Sequence, residues 1–150
     1  LKLIQRGHGP EIFVDAVIRT QKRRIPIVVH LILGLPGESI QDMITTAQAV
    51  ASLEVQGVKL HPLYVIRGTP LEEMYWSGEY SPMSEPQAIE ATLAVLEVLP
   101  YKIIVHRMTS DPHPEELVAP LWMLDKKGVR QRLNEAMENK NFRQGSRASK

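Results

Sequence analysis

The chain has 150 residues, 43% of them hydrophobic, a net charge of +1 and no cysteine. That is one ordinary domain with enough apolar side chains for a core, and it excludes disulfides, a cysteine nucleophile and any thiolate-held metal or iron–sulfur cluster within the chain. No run of about 18 apolar residues marks a membrane span, and no signal-peptide pattern opens the sequence.

Leu1 to Gln5 reads as the middle of something amphipathic, so the expectation is a fragment whose N-terminal side is missing. A helix follows from Pro10 to about Arg23. Pro10 suits a first helical turn, and Ile12, Phe13, Ala16 and Val17 form one apolar stripe. Ile25 to Leu33 is apolar except for Pro26 and His30, which predicts a strand buried on both faces as in a parallel sheet. Gly34-Leu35-Pro36-Gly37 breaks it. Ser39 and Asp42 make a cap pair for the next helix, with Ile40, Met43, Ile44, Ala47, Val50 and Ala51 on one face. Val58 to Val65 predicts a second strand and Leu71 to Trp76 a short helix. Ser84 with Gln87 caps a helix to about Leu99, which Pro100 stops. Ile103 to Met108 is the third strand, Asp111 to Pro114 a loop, and Lys126 to about Asn139 a last helix. From Lys126 to Lys150 there are eight Lys or Arg and two Glu, a basic tail able to approach phosphates. Ser146 to Lys150 reads as disordered.

The alternation implies an α/β fold of parallel strands with crossover helices. Three such strands do not close a barrel; they make a sector of one or half of an open sheet. Function in such folds gathers at the C-terminal ends of the strands, and His30, His61 and His106 fall in or just after the three apolar strands. On the second strand Val58 and Leu60 face the helices, so Lys59 and His61 face the lumen, where polar groups are costly unless paired or used. The histidines can be hydrogen-bonded core residues, parts of a shared pocket, or ligands of a zinc or iron site with Asp111 as the acid. Gly34-Leu35-Pro36-Gly37-Glu38 follows a strand and opens a helix, a turn where a ligand can approach the backbone. It has neither the G-x-G-x-x-G pattern nor a Walker lysine.

His30-Leu31-Ile32-Leu33-Gly34-Leu35-Pro36-Gly37-Glu38 resembles the fifth-strand segment of radical S-adenosylmethionine enzymes, in the branch that holds oxygen-independent coproporphyrinogen oxidases and the elongator catalytic subunit. Ile4 to His8, Lys59 to Leu63, Arg67 to Leu71, His106 to Asp111, Ala119 to Trp122 and Arg143 to Gly145 resemble further segments of a poorly characterised Fe–S oxidoreductase family in that branch.

The resemblance implies the C-terminal sector of a TIM-like partial parallel (βα) barrel over residues 1–112, with a C-terminal extension over 113–150. It further implies that Ile32, Leu33, Gly34, Leu35 and Gly37 bound the adenosyl group of S-adenosylmethionine. His30, His61, Arg67, His106 and Arg107 become candidates for the substrate side. His30 stands where relatives have a first glycine, Glu38 falls one residue late for the motif glutamate, and Ser110 replaces a usual glycine. The [4Fe–4S] cluster needs a C-x-x-x-C-x-x-C triplet that this chain lacks. The implied partners are therefore a missing N-terminal half bearing the cluster, an electron donor and an RNA substrate, with no membrane and a cytoplasmic location. The alternatives are a non-catalytic α/β binding module and the histidine-ligated metal hydrolase.

Overall fold

The computed structural model describes residues 7–148. Leu1 to Gln5, and the Ile4 to Arg6 part of the first family-like segment, lie outside the described residues. The elements in chain order are α1 (Pro10–Gln21), β1 (Val28–Leu33), α2 (Ile40–Ser52), β2 (Gly57–Pro62), β3 (Val65–Ile66), α3 (Pro70–Ser77), α4 (Glu85–Val98), β4 (Ile104–Arg107), β5 (Leu117–Ala119) and α5 (Lys126–Asn139), with a 3₁₀ turn at Leu121–Leu124.

Local chemistry sets the boundaries. Pro10 opens α1. At α2 the Ser39 hydroxyl accepts from Asp42 N–H, and the Asp42 carboxylate accepts from Ser39 N–H at 2.9 Å, a reciprocal cap that satisfies two helix-end donors. Ser84 N–H donates to Gln87 Oε1 at 2.9 Å at the start of α4. Thr69 caps α3, and Gly78, at φ 79°, closes it in the left-handed conformation.

β1, β2 and β4 form a parallel sheet in the order β1-β2-β4. Val29, Leu31 and Leu33 of β1 and Val58 and Leu60 of β2 turn to one face. There they pack with Val17 of α1, Met43, Ile44, Ala47 and Val50 of α2, and Ala91, Val95, Leu96 and Val98 of α4. All the helical packing of the main core lies on that side. The other face carries Val28, His30 and Ile32, then Lys59 and His61, then Ile104 and Arg107, and no helix of the described residues covers it.

This overturns the expectation of a first strand buried on both faces. β1 alternates strictly between buried and exposed residues, and Ile32 is 45% exposed. A continuous apolar run records the composition of both faces without saying what covers each. The α1 stripe is also narrower than expected. Val17 is buried and Phe13 packs beside it, whereas Ile12 and Ala16 lie on an exposed line one helical step away.

A second sheet was not expected. Val65 and Ile66 of β3 pair antiparallel with Ala119 and Leu117 of β5, and Val65, Tyr80 and Ala119 form a small core of their own. The end of the chain differs from expectation as well. Gln144 Nε2 donates to Pro100 O and Ile103 O, Gly145 N–H to Leu96 O, and Arg147 N–H to Glu97 O at 2.8 Å. Arg147 is thus tied to the C-terminus of α4, because its N–H reaches a carbonyl that a helix end leaves open, while Ser146 and Ala148 donate to Arg143 O and Gly145 O; Ser149 and Lys150 lie outside the described residues.

Candidate functional site

The uncovered face of the sheet is ordered in rows by the strand register. Val28, Gly57 and Ile104 are aligned at the N-terminal end, His30, Lys59 and Arg107 in the middle, and Ile32 with His61 at the C-terminal end. The lowest row is apolar apart from the His106 ring over Gly57, the middle row is basic, and the top row pairs an apolar side chain with an imidazole.

His30 and His61 stack, with ring centroids 5.2 Å apart and planes inclined by 14°. His61 Nε2 is buried and has no hydrogen-bond partner among the described residues. Burial depresses the proton affinity of His61, and His30, Arg107 and Lys59 depress it further. The sign follows directly. A histidine whose folded pKa lies below its ordinary 6.5 is favoured neutral, so the fold is most stable above that value and loses stability as pH falls through the depressed pKa. Thermal melts from about pH 7 to about pH 5 should show this loss, with His61→Gln flattening the profile. An unchanged profile in the variant would refute the assignment.

The third histidine is not brought into the pair. The register slips between Val58 and Lys59, so Val105 faces Val58 and Arg107 faces Lys59. His106 drops into the resulting bulge, its ring over Gly57 at the opposite end of β2, where a Cβ on Gly57 would lie 2.6 Å from Nε2. Arg67 lies in the turn just after β3 of the second sheet. Its N–H donates to Glu116 O, and its guanidinium helps hold the Glu72 carboxyl below its usual range, after the hydrogen bonds from Gly68 N–H and Trp76.

The glycine turn at the end of β1 is braced from three sides. Gly34 (φ 81°) and Gly37 (φ 76°) both occupy the left-handed region that favours glycine. Glu38, doubtful as a motif residue, accepts from Gly34 N–H at 2.9 Å and from Leu35 N–H at 3.0 Å. Burial pushes its carboxyl up in pKa and those two donors pull the other way. Tyr80, which no local pattern could have singled out, donates its phenol to Gly34 O at 2.9 Å from a buried position, and burial raises it to about 12. Leu33 turns its side chain into the core, while its carbonyl accepts from Leu63 N–H at 2.8 Å. Ile32 turns its side chain to the open side, whereas Gly34 is buried against Met83 and Leu35 and Pro36 are half-buried. Beyond β4, Ser110 is buried and its hydroxyl donates to Pro62 O at 2.6 Å, locking the following loop to the end of β2.

Among the described residues no group of His, Asp or Glu side chains converges as metal ligands would. Asp111 is paired with Lys126, which holds its carboxyl below the usual range. The metal-hydrolase alternative therefore has no ligand set there. No helix of the described residues is long and apolar enough to cross a membrane.

These features define an α/β domain with a parallel sheet whose polar, solvent-facing side ends in a glycine turn. Residues 55–139 match the Radical_SAM C-terminal domain, and the chain belongs to that family. It is 38% identical to an uncharacterised protein of Methanocaldococcus jannaschii over 98% of this chain and 46% of that protein. It is 30% identical to the tRNA uridine(34) acetyltransferase of Methanocaldococcus infernus over 74% of this chain and 21% of that protein. The solved structure of M. infernus Elp3 with an N-terminal deletion superposes at a TM-score of 0.80 and 27% identity, over 99% of this chain and 34% of that one. The chain is thus similar to the elongator branch of radical S-adenosylmethionine proteins, and it spans less than half the length of these relatives.

Proposed function

We propose that this chain is the C-terminal sector of a partial (βα) barrel in a radical S-adenosylmethionine enzyme, with residues 113–150 as an extension across it. The observation that carries the reading is the sheet's asymmetry. Helices pack one face, and the other carries an isoleucine, two imidazoles, a lysine and an arginine below a glycine turn.

The residues fit an adenosyl group. Ile32 offers an exposed apolar surface for a flat base, and Glu38 and Tyr80 fix the turn at the buried Gly34, against which Met83 packs, so that it need not reorganise on binding. Leu33 and Leu35 contribute backbone and Gly37 the second bend. His30, His61 and Arg107 supply the substrate side, while His106 and Arg67 come into play for a substrate as extended as RNA. The residues do not fit a [4Fe–4S] cluster, because the chain has no cysteine, so the ligands belong to a part of the protein outside it. When bound together, cluster and cofactor would supply one-electron radical chemistry that removes hydrogen from a substrate held against this face. The tRNA named for the M. infernus relative supports RNA as that substrate.

The test is the full-length protein, reconstituted anaerobically with iron and sulfide. Saturable S-adenosylmethionine binding by calorimetry, and 5′-deoxyadenosine released on reduction, are the expected results. Neither binding nor release would leave the non-catalytic module as the better account.

A further inference from the structure

Resting on the reading of this face as a substrate wall, we infer that its middle row, His30, Lys59 and Arg107 with His61 above it, is an anion subsite for a phosphate or carboxylate group of the substrate. The strand register aligns His30 with Lys59 and Lys59 with Arg107. Like charges side by side on neighbouring strands are destabilising, and this row has no acidic member. Among the described residues no salt bridge involves any of its side chains. Asp111 feels the charge of Arg107 but is engaged by Lys126.

The two strong cations of this face lie in that row. Val28 and Ile104 lie beneath it, with the His106 ring over Gly57, and Ile32 stands beside His61 above it. His61 adds a buried Nε2 with no partner among the described residues, a group whose desolvation is repaid only when something bonds to it. Burial together with His30, Arg107 and Lys59 disfavours a proton on that imidazole. The part of this that comes after burial, the charges of His30, Arg107 and Lys59, is a positive potential that attracts an anion. A guanidinium that grips two oxygens and an ammonium acting as a point charge are the pair suited to such a group.

The experiment titrates the full-length protein with inorganic phosphate and, separately, with acetate. Calorimetry and the imidazole carbon–proton resonances are followed, and S-adenosylmethionine affinity is measured on the same samples. Saturable phosphate binding that shifts the His30 and His61 resonances is expected, weakened about tenfold by Lys59→Met or Arg107→Met and retained by Lys59→Arg. Acetate binding as tightly as phosphate assigns the subsite to a carboxylate; phosphate alone assigns it to a phosphate ester. If neither anion moves the resonances, or both Met variants bind phosphate like the parent while S-adenosylmethionine binding is intact, the subsite is refuted and the wall reading stands. Loss of S-adenosylmethionine binding in the unsubstituted protein refutes the reading beneath it.

Discussion

Ile32→Asp is expected to abolish S-adenosylmethionine binding while leaving the fold in place. Ile32 is 45% exposed on the uncovered face, so its side chain adds little to the core, and exposed substitutions of this kind stay within about 0.5 kcal/mol. If its surface lies against an adenine, an aspartate there must lose its water on binding, a cost that the basic row one step below offsets only in part. Burying an unpaired carboxylate costs several kcal/mol, more than about a hundredfold in affinity. Ile32→Val keeps an apolar surface and should bind within a few-fold of the parent. Calorimetric titration and chemical denaturation of the full-length protein together decide it. An Asp variant that binds normally would remove Ile32 from the cofactor wall, and one that unfolds would mean that the exposed face is packed after all.

Much of the architecture was legible because local chemistry dictates it. Ser39 with Asp42, Ser84 with Gln87, Pro10 and Pro100 are punctuation that sits next to the boundaries it sets. The alternation of Val58 and Leu60 with Lys59 and His61 likewise predicted the sidedness that β2 adopts. What could not be read depends on distance or on what covers a surface. Tyr80 reaches Gly34 across 46 residues. The strands β3 and β5 are two and three residues long, too short for any periodicity to register. The misplacement of His106 has a similar origin, because a single bulge between strands distant in sequence moves it to the other end of the sheet. The uniform apolarity of β1 conceals a division of labour. Val29, Leu31 and Leu33 are apolar for the helices, whereas Val28 and Ile32 are apolar toward an open side, as the proposed cofactor wall would require.

Gly34→Val tests the turn on which that wall depends, and its effect on stability should be the larger of two comparable substitutions. At φ 81° an L-residue is strained by about 1–2 kcal/mol, and a β-branched one by more. A Cβ there would also lie 2.8 Å from the methyl of Met83, which must swing away. Displacing the backbone to relieve either strain lengthens the bonds that Tyr80 makes to Gly34 O and Glu38 to Gly34 N–H, each contributing on the order of 1 kcal/mol. The expected total is about 3 kcal/mol. Gly37→Val is the internal comparison. Its φ of 76° imposes the same backbone strain, but a Cβ there meets nothing within 4 Å. Denaturant midpoints of the two variants separate the contributions. Gly34→Val should be lower by about 1–2 kcal/mol, the share owed to Met83 and to the bonds at Gly34. Equal midpoints would mean that only the sign of φ matters, and that the bracing by Tyr80 and Glu38 does not hold the turn in its shape.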